Sequence, residues 1–378
     1  MQPHGLITST AERISQEAVS EIFRGRISKA GTLLMSFKLT IGRVATLGTD
    51  ACHNEAIISI YPKPGVNQKY LEYFLAQVDY TDYQDRAVKG HTLNQEKIDR
   101  IEITLPPKPE QEKIAAVLWK VQRAIAVQDR LIASARDLKA SAMQRLFTRG
   151  LRNEPLKNTE IGPMPESWRL LPLSKVAKIE RGRFTHRPRN EPRFYGGSTP
   201  FVQTGDVVKS GGHISRHTQS LNDEGVAISK VFPKGTILIT IAANIGFTGI
   251  LDFDSACPDS LVGITCQDWM DAEFLNYFLQ TQQADMDRLA PKGTQKNINI
   301  QFLEPWSIKV PKLSEQRAIA DTLVIIDRKL AHHRKKRAAL QDLFQTLLHK
   351  LMTAEIRVTH LDIDTREVAQ PETREETT

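Results

Sequence analysis

Two stretches of the chain place apolar residues at alternating steps of four and three. The first runs Ile114, Leu118, Val121, Ile125, Ile132, Ala135, Leu138, Ala142, Leu146; the second runs Ile319, Leu323, Ile326, Leu330, Leu340, Phe344, Leu347, Leu351. That spacing is a heptad seam and predicts two long helices. Pro106, Pro107 and Pro109 stand at the entrance of the first, Pro311 and Ser314 at the entrance of the second, and Glu110 and Glu315 fall in the first turns. All are helix-start signals. Each helix spans about 40 residues, or ~60 Å. Two such seams in one chain pack most simply on each other. Both are interrupted near their midpoints by a polar residue, Gln128 and His333. Antiparallel packing brings these together, and a buried polar pair disfavours slipped registers. The alternative, a splayed section with both facing solvent, draws support from Arg337, which also falls on the seam. No nucleophile or carboxylate accompanies His333, which argues against catalysis there.

The pattern occurs twice. Residues 105–150 align without a gap on the stretch from Val310, at an offset of 205. Pro106/Pro311, Glu110/Glu315, Gln111/Gln316, Ile114/Ile319, Leu118/Leu323 and Leu146/Leu351 coincide. Upstream, Gly31 to Leu34 matches Gly235 to Leu238, Tyr73-Phe74-Leu75 matches Tyr277-Phe278-Leu279, and Lys89-Gly90 matches Lys292-Gly293. The chain therefore reads as a tandem duplication of one unit, a mixed globular part followed by a long helix. Residues 32–37 and 236–241 read as strands, and residues 72–83 and 272–289 as helices, so each globular part is α+β. The expected organisation is a first domain over 1–107, a helix over 108–150, a Gly/Pro-rich linker over 151–166, a second domain over 167–312, a helix over 313–354 and a tail over 355–378.

Charge sharpens this division. Lys+Arg number 51 and Asp+Glu 44, for a net of +7 and a pI near 9.2 in 378 residues. The tail holds seven acidic and three basic residues, a net of −4, so residues 1–354 carry +11. The tail has little to bury and reads as disordered. A body at +11 suits a polyanion such as nucleic acid, although a basic balance also serves plain solubility. Cys52, Cys257 and Cys266 form no CxxC pair and have no zinc-ligand spacing, which argues against a disulfide scaffold or structural zinc. No apolar run reaches ~18 residues, and the start has neither basic n-region nor h-region, so the expectation is a cytoplasmic protein with no membrane partner.

The globular parts carry no phosphate loop, GxGxxG, HExxH, GxSxG, nuclease or methyl-donor motif. Asp252 and Asp254 read as turn or edge residues. Two segments suit DNA. Residues 178–193, KIERGRFTHRPRNEPR, place Arg181, Arg183, Arg187 and Arg189 in a Gly/Pro loop with Phe184 and His186 interleaved. Arginine there suits phosphate or guanine contact; a solvated basic surface is the plain alternative. The second is Lys292, Gly293, Thr294, Gln295 and Lys296, with its counterpart Lys89, His91 and Thr92; a hairpin or helix-entry turn is the alternative reading.

The duplicated Glu-Gln-x-x-Ile-Ala helix entrance (PKPEQEKIA at 107–115, PKLSEQRAIA at 311–320), Lys292-Gly293-Thr294, Trp168 with Leu173, and PFVQTGD at 200–206 together resemble the specificity subunit of type I restriction-modification systems, over nearly the whole chain. The resemblance implies two target recognition domains, each reading one half of a bipartite, asymmetric sequence in double-stranded DNA. It implies an antiparallel coiled coil that acts as a ruler. It further implies two modification subunits that methylate adenine with S-adenosylmethionine, and restriction subunits that use ATP and Mg. This chain would then hold no cofactor or metal and would not be an enzyme. The alternatives are a self-sufficient restriction or methylation enzyme, whose in-chain motif is missing, and an assembly scaffold with a non-reading first domain. The last gains weight from one departure. The second unit runs about 55 residues from Trp168 to Leu221 before Asn222-Asp223-Glu224, whereas the first reaches Ser15-Gln16-Glu17 within 17 residues. A misplaced start, a truncated gene or a piece supplied by another chain would each explain that, and exposed apolar surface is expected in the first unit.

Overall fold

The computed structural model describes residues 5–38, 40–83, 85–87, 90–291 and 296–369. Its contacts resolve into two compact units, 1–131 with 333–378, and 132–332. The division cuts through both long helices, Lys108–Arg149 and Leu313–Met352. Each unit thus owns the front of one helix and the back of the other.

In unit 1, Ile114 and Leu118 bury against Phe344, Leu348 and Leu351, and Asp129 pairs with Arg337 at 2.5 Å. In unit 2, Ile132 and Leu146 join Ile319, Leu323, Ile326 and Leu330, and Lys139 pairs with Asp327 at 2.8 Å. Numbers fall on one helix as they rise on the other, so the pairing is antiparallel in each unit. Val121 and Ile125 are half-buried on the seam. Gln128 is 5% exposed and its Oε1 lies 2.9 Å from His333 Nδ1, so the two polar seam residues meet inside unit 1. Arg337, which suggested splaying, is instead held by Asp129. The strict heptad does not extend through every position: Leu138 is 56% exposed, while Phe147 and Leu348 beside the seam are buried. A straight helix drifts ~20° per heptad, so residues beside the seam take over where the helices also pack on the globular parts.

The Glu-Gln entrance explains itself once the neighbours are seen. Gln111 Nε2 donates to the Pro106 carbonyl at 2.8 Å, and its Oε1 accepts from the Asn67 amide at 2.8 Å. Gln316 repeats this with Pro311 at 3.0 Å and the Asp271 amide at 2.8 Å. Each glutamine joins the start of a long helix to the start of the shorter helix of its own globular part. Glu110 takes both Arg357 donors at 2.6 and 2.7 Å, while Glu315 accepts from the Leu151 amide at 3.1 Å and faces Arg152 at 3.8 Å. Arg152 and Arg357 are themselves 205 apart. The repeat therefore closes circularly, because each glutamate grips the segment that follows the other helix.

Those following segments correct two expectations. The stretch 151–166 is not an open linker: Leu156–Lys157 pairs with Met164–Pro165, and Met164 and Trp168 are buried. The tail is not disordered over 355–369: Val358 is 3% exposed, and Ile363 and Val368 pack beside it. Low average hydrophobicity hid three well-placed apolar residues and one arginine clamp. Residues 370–378 lie outside the described residues.

The sheets come from short, mostly apolar runs. In unit 1 the order is Leu6–Ile7, Val44–Leu47, Leu33–Ser36, Ile57–Ile60. In unit 2 it is Ala177–Arg181, Leu261–Cys266, Ile237–Thr240, Thr248–Leu251, His213–Ile214. Leu6–Ile7 runs parallel to Val44–Leu47 as His213–Ile214 does to Thr248–Leu251, so the last four strands in the order of this sheet of unit 2 have counterparts in unit 1. Ser15 and Asn222 each cap a short helix, which extends the correspondence. Unit 2 adds a second sheet, Gln219–Leu221, Tyr195–Phe201, Ser255–Ala256, Val231–Phe232, and the pair Arg169–Pro172 with Ser307–Val310. The helix expected over 72–83 is Gln68–Leu75, because the Asn67 side chain caps the Tyr70 amide at 2.9 Å and Asp79 then turns the chain by accepting from Thr81. Ala272–Leu289 forms as expected, capped by Asp271.

Candidate nucleic-acid interface

The basic segment of unit 2 is half strand and half loop. Residues 178–181, expected in the loop, belong to Ala177–Arg181, which pairs with Leu261–Cys266. The loop proper begins at Gly182, where a Cβ would stand 2.3 Å from the Pro258 carbonyl, so only glycine lets the chain pass. Phe184 is not an exposed stacking platform. It is 1% exposed and packs on Phe194 and Phe201 with ring centroids 5.9 and 5.3 Å away. These aromatics anchor the loop and leave its arginines outside.

The arginines divide by what they touch. Arg183 Nη2 donates to the Ser229 carbonyl at 2.9 Å, tying the loop to the strand-side turn. Arg181 Nε donates to the Asp259 carbonyl at 2.7 Å. Arg187 reaches Asp259 Oδ2 at 2.9 Å and the Phe184 and His186 carbonyls at 2.6 and 2.8 Å. Arg189 closes on Asp259 Oδ1. Glu180 lies between Lys230 at 2.6 Å and Lys178 at 3.2 Å, and these cations hold its carboxyl below the usual range. Asp259 and Lys230 were not singled out from the sequence. They reach the loop only through strand pairing, so no local signal marks them.

The second candidate segment is only partly visible. Lys292, Gly293, Thr294, Gln295 and Lys89 lie outside the described residues. His91 and Thr92 fall in Gly90–Thr92, paired with Asp85–Ala87, and their side chains are not among those described. Lys296 Nζ pairs with Asp287 at 2.9 Å on the preceding helix. Of the second candidate's side chains, Lys296 alone is described, and it is held by the Ala272–Leu289 helix rather than by Asp259.

Asp254 accepts from the Lys234 amide, as a turn residue should. Asp252 does more: with Glu273 it brackets His213, at 3.2 and 2.8 Å. Glu273 first, then Asp252, push the imidazole up to about 9 against partial burial. Burial pushes the Cys257 and Cys266 thiols up to about 12, far from thiolate chemistry. Among the described residues no group of three His, Cys, Asp or Glu is arranged to hold a metal, and no helix is long and apolar enough to cross a membrane.

Comparison with known proteins closes the question of family. A family model described as the type I restriction modification DNA specificity domain matches residues 19–135 and 165–342. Two curated relatives are the MjaX (provisionally so named) and MjaVIII type I restriction enzyme specificity subunits of Methanocaldococcus jannaschii. The chain is 29% identical to the first over 277 residues, 72% of this chain and 63% of that one. It is 26% identical to the second over 280 residues, 70% and 64% respectively. It thus spans less than two thirds of either relative. Among solved structures, the S subunit of a type I restriction-modification system from M. genitalium matches with TM-score 0.59 at 15% identity, over 86% of this chain and 84% of that chain. A structure concerned with complex assembly and conformational transition of the type I R-M system matches with TM-score 0.55 at 19% identity, over 86% and 83%. Those likenesses bear on the fold, and they agree with two α+β parts joined to paired long helices. The chain belongs to the family of type I restriction-modification DNA specificity domains, matched in two successive regions.

Proposed function

We propose that this chain is a DNA-reading specificity subunit that recognises a bipartite, asymmetric sequence in double-stranded DNA. It directs adenine methylation, or restriction, by partner subunits. The observation that carries this reading is the family match to both halves of an internally duplicated chain. Unit 2 supplies a physical means. The end of the strand Ala177–Arg181 presents Arg181, and the aromatic-anchored loop that follows presents Arg187 and Arg189, at the surface, as phosphate and base-edge contact requires. The chain itself is non-catalytic and acts in the cytoplasm. Two modification subunits bind S-adenosylmethionine, and restriction subunits bind ATP and Mg.

The test is base-resolved methylation of DNA from cells expressing this chain with its modification subunit. A motif with two defined, unlike halves is expected. No methylation, in the presence of a modification subunit active with another specificity subunit, rejects the reading. A second reading has one observation in its favour: residues 169–212, which contain the whole basic loop, have no counterpart among the described residues of unit 1. On that reading unit 1 contributes assembly rather than base recognition, and the methylated motif is defined on one side only.

A further inference from the structure

Three arginines of the basic segment, one at the end of its strand and two in its loop, converge on a single acid outside it. Arg181 donates to the Asp259 backbone carbonyl, Arg187 to Oδ2 and Arg189 to Oδ1. Both carboxylate oxygens are taken, so the group carries net +2 in one place. The Asp259 side chain is 32% exposed, that of Arg187 50% and that of Arg189 42%, so the guanidinium groups remain open to solvent while they are held. The surroundings of Asp259 are fixed. Cα-side packing of Gly182 abuts Pro258, the Gly182 amide donates to the Leu261 carbonyl, and Ser260 Oγ bonds Thr204 Oγ1 at 3.3 Å. Of the other acids at this segment, Glu180 is already shared by Lys178 and Lys230, and Glu224 pairs with Arg193 at 3.1 Å.

We propose that Asp259 is the internal counter-ion of a DNA-phosphate site formed by Arg181, Arg187 and Arg189, and that it suppresses sequence-independent binding there. The inference rests on the DNA-reading function. Exposed ion pairs are individually weak, so a phosphate brought in register by a well-seated duplex displaces Asp259. A loosely held duplex gains too little elsewhere and must compete with a charge already in place. That is discrimination by a built-in competing interaction. The same acid keeps the three side chains gathered until DNA arrives.

The test uses the full chain with Asp259→Asn, which keeps the shape and removes the charge. Binding to a labelled duplex of unrelated sequence is titrated at several salt concentrations. The variant is expected to bind more tightly, with a log–log salt slope steeper by about 0.9, since one more phosphate pairing releases one more counterion. Its advantage over wild type then grows about 3.5-fold between 200 and 50 mM salt. Asp259→Ser is expected to do the same, so the result does not hang on one variant folding. Adding Arg187→Gln and Arg189→Gln to Asp259→Asn is expected to abolish the gain. Wild-type affinity and slope in both Asp259 variants, weaker binding with an unchanged melting temperature, or a gain that survives the arginine replacements would each overturn the inference alone. Absence of duplex binding by wild type at any salt would overturn the DNA-reading function with it.

Discussion

The two units carry matching edges that meet different fates. In unit 2, Leu261–Cys266 pairs on its outer side with Ala177–Arg181, and Ser307–Val310 pairs with Arg169–Pro172. One continuous stretch, 169–181, closes both edges, and its turn buries Leu173 and Val176 completely. In unit 1 the counterpart strand Ile57–Ile60 has a partner on one side only among the described residues, and residues 102–105 form no strand. The burial follows. Ile308 and Val310 are 0% and 2% exposed, whereas their repeat mates Ile103 and Leu105 are 38% and 48% exposed. Similar apolar spacing thus gives core in one unit and surface in the other. Burial belongs to the pairing, not to the residue. An open β-edge with apolar flanks is a surface that proteins ordinarily cover.

The harshest way to break the comparison is Leu173→Ala. That side chain is 0% exposed, so a loss of about 2–5 kcal/mol is expected in the unfolding of unit 2. Hydrogen exchange at Leu261–Cys266 should then approach that of Ile57–Ile60; unchanged protection there would mean that the closing stretch does not stabilise the edge. The glutamine clasps come next. Gln111→Ala and Gln316→Ala each remove a buried side chain and leave half-buried backbone amides without their partner, and should cost about 1–3 kcal/mol, with equal losses in the two units if the duplicated clasp is equivalent. Denaturant titration of each variant decides this. In the wild type, amides of Ile57–Ile60 should exchange faster than those of Leu261–Cys266, because a one-sided strand opens locally at lower free energy. Comparable rates would show that unit 1 has a covered edge in solution.

The smallest effect is with pH. His213 occupies the place of Leu6 at the end strand of its sheet, so only unit 2 has a titrating clasp there. Its pKa is raised to about 9 by Glu273 and Asp252. A raised pKa means stability that is fully present below the unfolded value near 6.5 and is lost as pH rises through about 9. The side chain is 45% exposed, so screening holds the contribution to about 1 kcal/mol or less. Unfolding of His213→Gln and wild type should differ at pH 6 and coincide at pH 10; a constant difference would remove the ion pairs from the explanation.

Much of the molecule was legible in advance because it depends on near neighbours in sequence. The 4-3-4-3 spacing, the proline and glutamate entrances, the 205-residue offset and the family motifs led to the paired helices and the duplication. The polar residues Gln128 and His333 were placed at the same level by counting along two antiparallel helices, and they lie there. The shortness of the first unit was visible as a difference in spacing. The tertiary structure decided what depends on partners far apart in the chain. It turned Phe184 inward, folded the tail onto Glu110 through Arg357, and left Ile103 and Leu105 outside, with no facing strand among the described residues. It also set Asp259 among three arginines that the sequence displayed only as a basic run. Periodicity is a property of one helix or strand and can be read along it. Burial and ion pairing are properties of two surfaces, and they exist only once the fold has brought both together.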